Sequence, residues 1–140
     1  MMLADLPDWA AALLDDEPVG HLGLLDGHGR PRVQPVTFAR VGAVLVTAID
    51  DKPKRGMPAR VRRIRERPAV ALTVDRYDDD WTRLAWVQVL GEAAIRDMTD
   101  AALAALTARY PVYRDMPPRG PLIEIAPTRL LWWRATTDPC

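Results

Sequence analysis

Few side chains in this sequence belong to the kinds that do chemistry unaided, and their spacing narrows the field further. The histidines are His21 and His28, with no cysteine beside either and no HExxH spacing, so the pattern does not build a zinc site. Cys140, the only cysteine, is the last residue, which excludes a disulfide framework and a Cys-rich metal cluster and offers no buried thiol nucleophile. Asp78, Asp79 and Asp80 are consecutive in a loop-like stretch and read as a solvated surface or as partners for nearby arginines rather than a divalent-cation cage. The glycines of "DGHGRP" link two strand-like runs instead of opening a helix, so they read as turn residues and not as a phosphate loop. Any redox chemistry must therefore come from a bound cofactor.

One feature does ask for a ligand. Between positions 52 and 67 stand Lys52, Lys54, Arg55, Arg60, Arg62, Arg63, Arg65 and Arg67, with Glu66 as the single acid. A solvated helix face normally mixes signs to gain support between residues one turn apart, whereas this run repels itself unless an anion is supplied. The rest of the chain is not basic: Lys plus Arg total 19 and Asp plus Glu total 19. That balance argues against nucleic acid and favours a compact polyanionic small molecule.

Stepping outward to the elements that must carry these groups, the 140 residues fit one domain, residues 1–140, and the 49% hydrophobic content is modest for a monomer of this size. No window reaches the roughly 18 apolar residues needed to span a bilayer, and the N-terminus lacks a basic leader, so a cytoplasmic protein without membrane attachment is expected. Asp5 and Asp8 offer caps to a short helix around Trp9, Leu13 and Leu14 that stops before Pro18. Then come strand patterns: "VGHLGLL", "RVQPVTFA" and "AVLVTAI" form a meander, with Pro31 and Pro35 marking the second as an edge or bulged strand. Met57, Val61 and Ile64 fall on one apolar helical stripe, with Arg60, Arg63 and Arg67 on a neighbouring face. "AVALTVDRY" and "RLAWVQVLGEAAI" are further strands, "AALAALTARY" is a helix capped by Thr99 or Asp100, and "PLIEIA" and "RLLWWRA" read as two short strands broken at Pro127. Six or seven strands with two or three helices in this order imply a mainly β protein, a small antiparallel barrel with helices outside.

The run from "VGHLGLLDGHGRPRVQPVTFA" through "AIDDKPKRGMPARVRRIRERPAVALTVDRYDDDWTRLAWVQVLGEAAI" resembles the pyridoxamine 5'-phosphate oxidase-like, FMN-binding split-barrel superfamily. Within it, the chain is most similar to oxidoreductases that use the deazaflavin coenzyme F420. The resemblance is close over about Val19 to Ile95 and loose over Pro121 to Arg134, and its most specific elements are "DDKPKR" and "VDRYDDDW" followed by "WV" and "GEA".

What the resemblance implies is a homodimer of six-stranded antiparallel split β-barrels with two identical sites in the grooves between subunits. Arg60, eight residues before Pro68, matches a basic family position that holds the cofactor phosphate. Lys52, Lys54 and Arg55 are implied to meet the phosphate or the poly-glutamate tail that F420 carries and flavin mononucleotide (FMN) lacks. Gln34, Pro35 and Val36 are expected along the ring system, with Thr47 and Ala48 lining the same pocket, and Trp81, Trp86 and Gln88 covering the ring from the partner subunit. Both tryptophans serve equally well as interface or core anchors. Gln88 stands where relatives are often basic, and Gly56 and Pro58 shift the helix start, so the tail contacts are the least defined part of the resemblance. The implied activity is hydride transfer between F420 and a small-molecule substrate; an FMN enzyme in the same groove and a cofactor carrier without turnover stay open.

Overall fold

The structure, a computed structural model, describes residues 2–49 and 59–135. A 3-10 turn at Leu3–Asp5 leads into helix α1 (Asp8–Asp16), strand β1 (Gly20–Leu25), β2 (Pro31–Val36), β3 (Ala39–Val41) and β4 (Val44–Ala48). Helix α2 (Ala59–Glu66), β5 (Ala69–Arg76), a 3-10 turn at Trp81–Arg83 and β6 (Ala85–Arg96) follow. Helices α3 (Asp100–Arg109) and α4 (Val112–Asp115) and strand β7 (Leu122–Arg134) complete the chain.

The strands form one antiparallel sheet in the order β2-β1-β5-β6-β7-β4-β3. Among the described residues it has seven strands, within the six or seven read from the residues and one more than the resemblance implies, and it is not closed, with β2 and β3 at its edges. The additional strand is the three-residue β3, folded back on β4 by the turn at Gly42, which is too short to show a period in sequence. The edge position of β2 accommodates Pro31 and Pro35, which have no N–H to give to a further strand.

The last two strand patterns are in fact one strand. Pro127 lies inside β7, opposite Gly91 and beside the irregularity between Leu90 and Gly91, where the pairing skips Thr128. A bulge is where a ladder tolerates proline, so Pro127 bends β7 without ending it. Gly91 is required there: a Cβ at that position would sit 2.3 Å from the carbonyl oxygen of Ala126.

Two apolar clusters hold helices to the sheet. The larger joins Leu13 and Leu14 of α1 and Val61 and Ile64 of α2 to Leu22, Leu72, Val87, Val89, Ile123 and Ile125 of the strands, all 2% exposed or less. Val61 and Ile64 of the predicted stripe are thus the buried face of α2, while Met57 lies outside the described residues. The second cluster packs Ala102 and Leu106 of α3, with Tyr110 and Tyr113, on Ala39, Val46, Ala48 and Leu122. Thr99 caps α3 by accepting from Ala102 N–H at 3.1 Å. Among the described residues, no helix is long and apolar enough to cross a membrane.

The end of α3 is fixed by hydrogen bonds as well as packing. The Tyr110 hydroxyl accepts from Phe38 N–H at 3.0 Å and lies within donating distance of the carbonyls of Pro18, at 2.8 Å, and Phe38, at 3.0 Å. Burial raises the phenol above its ordinary pKa, outweighing the Phe38 hydrogen bond and the neighbouring Arg109 charge, which pull it down.

Two stability effects follow. Gly91→Ala should lower unfolding free energy by about 1–3 kcal/mol, measured by urea titration, because carbonyl and Cβ cannot both keep their places. A cost near zero would mean that β7 shifts freely at the bulge. Separately, an unfolded tyrosine ionises near pH 10 while folded Tyr110 stays protonated, so its contribution is complete below about pH 10 and is lost as pH rises further. Tyr110→Phe should therefore be less stable than wild type by about 1–3 kcal/mol at neutral pH. The gap between the two proteins should narrow only as pH rises above about 10, and a gap independent of pH would show that Tyr110 ionises alike in both states.

Candidate functional site

Where the end of β2, the end of β4 and the first turn of α2 converge, they leave a cleft of about 230 Å³. Its walls are Val19, Pro35, Val36 and Thr37 on one side and Thr47 and Ala48 on the other, with Arg60 at the rim. The local sequence explains the opening. Pro35 cannot continue a ladder outward, Val36 turns inward, and the chain leaves the edge at Thr37 before β3 begins. Opposite, β4 reaches its last residues between the interior, where Thr47 faces Ile123 in register, and the cleft.

Thr47 is the chemically conspicuous residue. It is 1% exposed, and its hydroxyl oxygen has no hydrogen-bond partner among the described residues. An unmade buried hydrogen bond costs about 1–3 kcal/mol, so an unpartnered hydroxyl in a cleft wall is a group that a bound ligand could satisfy. Arg60 supplies a cation at the same cleft, and among the described lining residues it is the only charged one. A hydroxyl and a guanidinium with small apolar walls are a donor set for an anionic group such as a phosphate, and they fit the phosphate-bearing end of FMN or F420. The volume falls below the roughly 300–1,000 Å³ of sites that enclose drug-sized ligands, so this chain by itself accommodates one end of such a molecule.

Of the residues singled out in sequence, Pro35, Val36, Thr47, Ala48 and Arg60 come together here. Gln34 does not: it is exposed on β2, opposite Leu22, and does not line the cleft. Lys52, Lys54 and Arg55 lie outside the described residues, as does Met57. Trp81, Trp86 and Gln88 are not at this cleft either. Trp81 is 69% exposed in its 3-10 turn, Trp86 points outward from β6 beside Trp133 of β7, and the Gln88 amide donates to Thr73 Oγ1 at 3.2 Å.

Sequence reading missed Val19 and Thr37, which line the cleft, and the groups that hold them. Arg109 donates through Nη1 to the carbonyls of Leu14, at 2.9 Å, and Phe38, at 3.1 Å, and through Nη2 to that of Glu17. Tyr113 shares a 2.7 Å hydrogen bond with the Thr37 hydroxyl. The signal was the pair of tyrosines flanking Pro111, which a helix-ending pattern does not connect to residues some seventy positions earlier. The other chemistry-bearing groups are engaged locally. Asp26 takes up the backbone N–H groups of His28 and Arg30 in the "DGHGRP" turn, Asp80 accepts from Thr82, and Asp78 pairs with Arg83 at 3.6 Å.

The fold recurs in solved structures. A conserved hypothetical protein from Mycobacterium tuberculosis is 17% identical with a TM-score of 0.74, over 92% of this chain and 85% of that one. A FAD-binding protein from Mesorhizobium loti is 19% identical with a TM-score of 0.65, over 89% of this chain and 92% of that one. An F420 reductase is 30% identical with a TM-score of 0.62, over 90% of this chain and 98% of that one. No curated protein matches the sequence significantly. The pyridoxamine 5'-phosphate oxidase family pattern matches residues 6–134, and with it the split-barrel sheet and its cleft place this chain in that family.

Proposed function

We propose that the chain is an oxidoreductase that uses coenzyme F420 for hydride transfer to or from a small molecule, working as a cytoplasmic homodimer. The observation that carries a phosphate-bearing cofactor is the buried Thr47 hydroxyl, unpartnered among the described residues, facing the same cleft as Arg60. The similarity to an F420 reductase at 30% identity, over nearly all of both chains, favours the deazaflavin over other cofactors. FMN is the second reading, supported by the single cation among the cleft's described lining residues, which suits one phosphate.

Bound in the groove, either cofactor supplies the hydride chemistry, so the polypeptide needs no nucleophile and no acid–base pair. Its own residues bind and orient. Arg60 neutralises the anionic end, Thr47 gives it a hydrogen bond from a site that water does not reach, and Val19, Pro35 and Val36 exclude solvent beside it. Lys52 and Lys54 lie in the same connection between β4 and α2 and are assigned to an anionic tail.

The dimer completes this reading. The outward face of β6 and β7 carries Trp86, 37% exposed, paired in register with Trp133, 45% exposed. Two adjacent indoles on a sheet face are the kind of anchor that interfaces use. A second copy set against them brings Trp81, Trp86 and Gln88 to the other subunit's cleft and supplies the wall that one chain lacks.

Titration with FMN and F420 tests the assignment. Thr47→Val should weaken both by about three- to tenfold, while the free protein unfolds no earlier and even gains stability, because the unmet hydroxyl is gone. Arg60→Ala should weaken both by about 1.5–3 kcal/mol, tenfold to a hundredfold. Replacing Lys52 and Lys54 together should weaken F420 alone, by about 1 kcal/mol and less at high salt. Unchanged affinities in all three variants would sink the cofactor assignment, and equal losses for FMN and F420 in the lysine variant would remove the preference for F420. For the dimer, sedimentation at micromolar concentration should give twice the 15.6 kDa chain mass, and the unfolding midpoint should rise with protein concentration; a monomer would refute the shared groove.

A further inference from the structure

A second recess lies at the other end of α2 from the cleft, beside Arg65 in the helix's last turn. It measures about 770 Å³, within the roughly 300–1,000 Å³ of sites that hold small ligands. The end of β6, from Ile95 to Met98, forms a second side, and the approach to β7 at Arg119, Gly120 and Pro121 forms a third. Those two sides are packed on each other through the backbone. Gly120 has a φ of 95°, and a Cβ there would sit 3.4 Å from Met98 Cβ and 3.5 Å from Met98 N. Ile95, Met98 and Pro121 are half-buried and make the apolar part of the lining.

The charges around this recess are unequal: Arg65, Arg96 and Arg119 stand against Asp97. Arg119 has an interaction of its own, so Arg65 and Arg96 carry the recognition. Among the described residues, no carboxylate pairs with Arg65. Arg96 Nε lies 3.9 Å from Glu124 Oε1, an ion pair too long to be a hydrogen bond, which leaves its planar fork of N–H donors able to take a carboxylate at two points. Arg65 also belongs to the surplus of the basic run that the cleft does not use, since Arg60 lines the cleft and Arg67 donates to the Asp26 carbonyl at 2.9 Å. A phosphate concentrates its charge at one point, whereas cations on separate elements of a broad recess match an anion whose charges stand apart. We propose that this recess is a second anion site, distinct from the cleft, which binds a small dicarboxylate with one carboxylate on Arg65, the other on Arg96, and its methylenes against Ile95 and Met98. Asp97 disfavours anions that carry a further charge. Neither arginine contributes to the proposed cofactor site, so the recess binds its ligand whichever cofactor is present, or with none.

Methyl labelling of the methionines tests this without any cofactor, because Met98 lines the recess while Met2 and Met116 are exposed and do not line it. Glutarate, titrated at constant ionic strength, should shift the Met98 methyl resonance saturably and leave those of Met2 and Met116 in place. Pentanoate, with the same chain and a single carboxylate, should bind about three- to tenfold more weakly. Arg65→Gln and Arg96→Gln replace exposed side chains and so keep the fold; each should weaken glutarate about three- to tenfold. Arg60→Ala should leave glutarate affinity unchanged, and a loss there would place the anion in the cleft and overturn the second site. Inorganic phosphate bound as tightly as glutarate would overturn the dicarboxylate assignment. A Met98 resonance that does not respond to glutarate, or an affinity that neither glutamine variant alters, would end the proposal.

Discussion

The architecture around the cleft depends on where one buried-end guanidinium sends its protons. Arg109, at the C-terminal end of α3, donates to the carbonyls of Leu14 and Glu17, in the last turn and cap of α1, and to that of Phe38 at the start of the link to β3. Carbonyls at a helix C-terminus have no partner within the helix and carry its negative dipole end, so a cation there is doubly favoured. The same group lies over the Phe38 ring at 4.5 Å. By satisfying both places at once, Arg109 ties the segment entering β1 to the segment leaving β2. Those two segments become the walls at Val19 and at residues 35–37. Tyr110 repeats the tie through Pro18 and Phe38, so the cleft's width is set by α3, which itself never touches it.

Against this well-satisfied frame, Thr47 stands out as an exception. Neighbouring strand positions are apolar and packed, and valine at position 47 would suit them without leaving a polar atom unmet. Among the described residues that hydroxyl is left without a bond, at a cost in stability that a ligand in the cleft would recover. The two threonines of the cleft thus play different parts: Thr47 is left open, and Thr37 is held from behind.

The outward face of the sheet shows a complementary imbalance. The interior side of the sheet is filled by α1 and α2, whereas the outward side of β6 and β7 exposes paired indoles, with Gln88 bonded sideways to Thr73. A cleft too small for a whole cofactor and an exposed aromatic sheet face are the two features that the proposed homodimer would explain together.

Much of the frame was legible in sequence because it rests on local rules. The alternation of "AVALTVDR" and "AWVQVLGEAAI" produced β5 and β6, the stripe of Val61 and Ile64 produced α2, and prolines 31 and 35 marked β2 as an edge. Local rules misjudged Pro127, since whether a proline ends a strand or sits in its bulge depends on Gly91 in another strand. They also gave no hint of Thr37 or Tyr113, which are 76 residues apart and meet only because α3 packs on β3 and β4. By itself the sequence determined which segments are strands and helices, and that a cation-rich stretch precedes β5, since periodicity and charge are properties of neighbours along the chain. Only the tertiary structure decided which hydroxyls face the cleft, which of them has a partner and how wide the cleft is, because those depend on hydrogen bonds closed across the whole length of the chain.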